Sequence, residues 1–127
     1  MAAAHCAYDG GVRVRELQEP ALAELDAAYA RAVDVVDPNL LALVTARIEH
    51  ALADGPVPAA TSDARQFDVA VVVEQMLVDV AGLDDATVQR TSAHFREGEF
   101  ADLIMASYIV EARVRLRVAA ERLWPAP

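Results

Sequence analysis

Apolar residues recur along this chain at spacings of three and four, and the rhythm breaks at a small set of Pro, Gly and Asp positions. After Pro20, which suits the first turn of a helix, Leu22, Leu25, Ala28 and Tyr29 keep that spacing to about Val35. Asp37 followed by Pro38 has the form of an N-cap and a first-turn proline. The helix they open puts Leu41, Val44, Ile48 and Leu52 on one face and stops near Gly55. Residues 56–62 read as a linker, with Thr61, Ser62 or Asp63 able to cap a third helix that runs to about Ala81 before Gly82 stops it. Asp84 or Asp85 caps a short fourth helix reaching Phe95. Beyond the turn Arg96-Glu97-Gly98 a fifth helix runs from Glu99 to about Leu123, ahead of Pro125. Residues 1–16 carry little order signal, and Val12 and Val14 alternating with Arg13 and Arg15 suit a short extended arm. The expected fold is therefore all-α: about five helices in one domain over residues 17–127, behind an N-terminal arm over 1–16.

The third helix poses the sharpest question. From Phe67 to Val78 it is apolar on nearly every side, and at 3.6 residues per turn Phe67, Val71, Glu74, Val78 and Ala81 share a face. Reading that face as buried places the Glu74 carboxylate in the core, where it must be paired, hydrogen-bonded or protonated. Glu74 forms an ion pair with Arg113, the third and fifth helices packing antiparallel, or it is the floor of a site, or an unexpected rotation of the helix leaves it plainly exposed. The fifth helix carries Phe100, Leu103, Ile104, Ser107, Tyr108, Glu111, Val114 and Val118 on a broad face. Helices this apolar need more partners than a five-helix monomer supplies, which predicts a homo-oligomer, a dimer or larger. A ligand cavity would produce the same pattern.

Composition narrows the classes. Alanine occurs 27 times against five glycines, and aromatic residues make up only 6%, which favours close-packed helices with an aliphatic core. Eleven basic residues, all Arg, face twenty acidic ones for a net charge of -9, the wrong balance for a nucleic-acid binder. Cys6 is the single cysteine, so no internal disulfide can form and a reducing compartment suits the chain. The first residues lack the basic and apolar regions of a signal peptide, and no apolar run approaches a membrane span. The expectation is a cytoplasmic protein with no membrane or nucleic-acid partner.

The run from Phe67 through Glu74-Gln75-Met76 to Gly82-Leu83-Asp84-Asp85 continues with Phe95 and Glu97-Gly98-Glu99-Phe100-Ala101-Asp102-Leu103-Ile104. It then passes from Tyr108 through Glu111-Ala112-Arg113-Val114-Arg115-Leu116. This pattern resembles the C-terminal part of the carboxymuconolactone decarboxylase and alkylhydroperoxidase-D-like superfamily. Upstream, Asp37-Pro38-Asn39-Leu40-Leu41 through Arg47-Ile48 is similar to that family's approach to its active-site helix. The resemblance implies a compact, oligomeric helical bundle. Redox members open the active-site helix with two cysteines separated by two intervening residues and a nearby His, whereas the matching stretch here is Glu49-His50-Ala51-Leu52-Ala53-Asp54-Gly55. Thiol-based peroxide reduction needs a thiolate and a resolving thiol, and Cys6 is distant and alone. A member without that chemistry is implied.

Two functional readings follow. The decarboxylase branch implies acid–base chemistry on a small carboxylic acid or lactone, without a cofactor. Glu74 and His50 would then carry the proton, while Arg113 and Arg47 hold the substrate carboxylate and Tyr108 and Glu111 line the site. In the other reading the chain is a non-catalytic structural or partner subunit, assembled with copies of itself or with another protein. That reading is favoured because no polar cluster has motif-like spacing. His5, His50 and His94 are scattered, so no metal is expected. His94 is read as a cap on helix carbonyls, and Trp124 as an anchor against a neighbouring subunit.

Overall fold

The computed structural model describes residues 2–123, with side chains from Glu19 onward. The side chains of His5 and Cys6, and all of Trp124, lie outside that range. Five α-helices follow one another: α1 (Ala2–Val35), α2 (Pro38–Ala53), α3 (Ala64–Val78), α4 (Asp85–Ser92) and α5 (Glu99–Leu123). No strand occurs among the described residues, and no helix is long and apolar enough to cross a membrane.

Three of the helix starts are fixed by one residue type. Asp37 accepts from the backbone N–H of Asn39 at 2.8 Å, Asp63 from Gln66 at 2.8 Å and Asp84 from Thr87 at 2.6 Å. Each carboxylate satisfies a donor the first turn would leave orphaned. At Asp84 the bond to Thr87 holds the carboxyl below its ordinary value.

The helix ends depart more from the sequence reading. α1 begins at Ala2, so the segment expected as an extended arm lies in the α1 backbone, and Pro20 sits inside the helix rather than at its start. The helix-forming Ala2–Ala4 and the run Arg15, Glu16, Leu17 and Gln18 outweigh the brief Val/Arg alternation. α2 ends at Ala53, near the expected Gly55, with Asp54 rather than the glycine taking the left-handed conformation at φ 53°, and the N–H of Gly55 returns to the Glu49 carbonyl at 3.1 Å. Gly55 is still required, because a Cβ there would meet Glu49 backbone atoms at 3.0 and 3.1 Å. α3 stops at Val78 instead of Ala81, because extended Asp79 turns its carboxylate onto the N–H of Ala81 at 3.0 Å and starts a 3-10 turn over Val80–Gly82.

α2 is the middle of the packing. It lies against α5 on one side and α3 on the other, α1 packs on α5 with Tyr29 beside Thr45 of α2, and α4 packs on α3. The expected direct pairing of α3 with α5 is thus replaced by a layer of α2 between them. Arg65 reaches Asp37 near the starts of α3 and α2 (3.7 Å), and Arg47 reaches Glu74 near their ends (2.7 Å), so the two helices run in parallel. Parallel neighbours need a long return, and Pro58 to Thr61 supply it by passing back beside Ala42, Ala46 and Arg47. The core joins Val44 and Ile48 of α2 to Val69 and Val73 of α3 and to Leu103, Val110 and Val114 of α5.

Candidate functional site

Glu74 is the first residue to place, and it faces outward. Its side chain is 52% exposed, with Phe67 at 57% and Val78 at 83% on the same stripe. The face expected to be buried is the solvent face of α3, while Asp68, Val69, Val72, Val73 and Met76 point inward. Glu74 pairs with Arg47, not with Arg113, through Arg47 NH1 to Glu74 Oε1 at 2.7 Å. Arg47 is mostly covered and lines a groove of about 320 Å³ beneath Pro58–Thr61, a groove that Glu74 does not line. His50, one helical turn beyond Arg47, turns to the end of its own helix. Its Nδ1 lies 2.9 Å from the Gly55 carbonyl, a capping bond at a helix C-terminus.

Arg113 is held at the α1–α5 contact. Its Nε and NH2 donate to Asp26 Oδ1 at 3.1 and 3.0 Å, and its guanidinium stacks 3.9 Å above the Tyr29 ring. The adjoining groove, about 250 Å³, is also lined by Thr45, Glu49 and Arg117. Arg117 donates both terminal nitrogens to the two Glu49 oxygens, a fork that ties α5 to α2 and raises the Arg117 pKa further. Glu111 accepts from Arg115 at 3.0 Å along one helix, as the spacing predicts. Tyr108 is 42% exposed on the outer side of α5.

The buried carboxylate is Asp68, which the sequence reading passed over. It is 6% exposed on the inner face of α3, with its Oδ2 2.8 Å from His94 Nε2 and its Oδ1 3.2 Å from Arg90 Nε. The His94 hydrogen bond, reinforced by Arg90, holds its carboxyl below the ordinary value against the opposing effect of burial. His94 therefore anchors the end of α4 onto α3 and does not cap carbonyls as expected. One signal was available: Asp68 is the other acidic residue in the apolar run, about a third of a turn out of phase with Glu74.

These groups are distributed rather than convergent. Glu74 meets Arg47, Arg113 meets Asp26, Glu111 meets Arg115 and His50 meets a carbonyl, each at a different junction. Among the described residues no three His, Cys, Asp or Glu side chains gather where an ion could be held. No protein-family model, curated protein or solved structure matches the chain.

Proposed function

We propose that this chain is a non-catalytic helical subunit of the cytoplasm, of the alkylhydroperoxidase-D-like kind that its sequence resembles. It acts through its surface, on copies of itself or on a protein partner. The observation that supports this is how the charged groups are spent. Arg47, Arg90, Arg113 and Arg117 each tie one helix to another through a carboxylate, and Asp68 and Glu49 each bind two donor groups. An anionic substrate would have to displace one of these pairs before any of these four Arg could hold it, and neither Glu74 nor His50 lines the grooves at Arg47 and Arg113. Large apolar side chains meanwhile stand exposed on α1, α3 and α5, among them Val35, Phe67, Val78 and Met105. The resemblance rests on the segments Asp37–Ile48 and Arg65–Leu123.

Thermal-shift titration with small carboxylic acids and lactones tests the reading. The expected result is no saturable stabilisation of the wild type. Saturable stabilisation abolished by Glu74→Gln or Arg113→Ala, with the fold intact, would return the chain to the acid–base class.

A further inference from the structure

We propose that the outward face formed by α1 and α5 is where a second copy of this chain docks, an inference that rests on the subunit reading above. Ala28, Ala32 and Val35 on α1 meet Met105, Ala106 and Ile109 on α5 across an open trough of about 210 Å³. Its floor is alanine, with Ala32 8% and Ala106 1% exposed, while Val35 (63%) and Met105 (60%) stand up as ridges. Small residues flanked by larger ones form the relief into which the ridges of another helix pack.

The charges choose the occupant. The trough is lined by one cation, Arg31, and one anion, Asp102, and neither forms an ion pair among the described residues. α1 and α5 run antiparallel, since Asp26 meets Arg113 while Val36 and Leu103 share a cavity toward the other end. A two-fold interface uses the same patch twice. With its axis midway between these two charges, near the level of Val35 and Met105, the ends of the trough are exchanged, so Arg31 of each copy comes toward Asp102 of the other. One charge of each sign on an apolar patch is self-complementary, and it offsets locally the repulsion between two chains of net charge -9. The outer stripe of α3 lacks this property. Its only charge, Glu74, is already paired with Arg47, and a two-fold axis would set Glu74 against Glu74.

Sedimentation velocity of the full chain at tens of micromolar is the test, with circular dichroism to follow the fold. The wild type should sediment as a dimer. Met105→Glu, at an exposed position, should weaken association by about tenfold or more while helicity is unchanged. Arg31→Asp and Asp102→Arg should each weaken it, their combination should restore it, and Phe67→Glu on α3 should have no effect. A dimer indifferent to Met105→Glu and to both charge reversals, or one dissociated by Phe67→Glu, would overturn this face and leave the subunit reading standing. A wild-type chain that stays monomeric would overturn the homo-oligomer together with this face.

Discussion

α2 and α3 are parallel neighbours of 16 and 15 residues, each opened by an Asp cap and each ending on an Asp, yet the molecule uses them differently. α2 is enclosed, with Leu40, Leu41, Val44 and Ile48 buried and its polar positions tying it to both flanks, Arg47 to α3 and Glu49 to α5. α3 lies at the edge, covered by α2 and α4 and open along Phe67, Glu74 and Val78. High hydrophobicity is therefore a poor guide to burial here: the helix with valine on almost every side is the one with a bare face. What decides burial is the number of neighbouring helices.

Truncations on the two helices should differ most. Ile48→Ala, at 1% exposure on α2, should cost about 2–5 kcal/mol in denaturant unfolding. Val78→Ala, at 83% exposure on α3, should stay within about 0.5 kcal/mol, and an equal loss at both would erase the contrast.

Within α3 the contrast lies between Asp68 and Glu74. Asp68→Asn should lower the melting temperature at neutral pH, because it removes the charge that Arg90 and His94 were arranged to meet. The pH dependence has a definite sign. The folded carboxyl sits below the ordinary 3.8, so its contribution is present above that value and disappears as pH falls through the lowered one. The gap between wild type and variant should therefore close on acidification below 3.8. A gap that widens there would mean that the carboxyl is not stabilised in its charged form.

The two terminal aspartates give a smaller contrast of opposite sign. Asp54 holds φ 53°, so Asp54→Gly should stabilise by about 0.5–1 kcal/mol by relieving left-handed backbone. Asp79 is extended and accepts from Ala81, so Asp79→Gly should destabilise by about 1 kcal/mol. Smallest of all is the rim pair: a double-mutant cycle on Arg47 and Glu74, the latter half exposed, should give a coupling below about 1 kcal/mol.

The same contrast explains what was readable beforehand. α2, α5 and the start of α4 were legible because their borders carry Asp caps, Pro38 or the Gly98 turn, and because the α2 apolar stripe has polar positions to set its phase; the end of α4 was not, since the helix stops at Ser92 instead of reaching Phe95. α3 had no such phase marker. With valine at Val69, Val71, Val72 and Val73, the periodicity fits several rotations, and only contact with α2 and α4 selects the one that buries Asp68 and exposes Glu74. The partners of the charged residues were illegible for the same reason, apart from Glu111 with Arg115, whose pairing is local. Arg113 meets Asp26, 87 positions away, through a helix order that no spacing encodes.

Sedimentation equilibrium of the unmodified full chain across the micromolar range bears most directly on the use of the exposed apolar faces. A chain that docks a second copy through the α1 and α5 face should show a mass rising from 13.7 kDa toward twice that value as concentration increases. A mass fixed at 13.7 kDa throughout would contradict it.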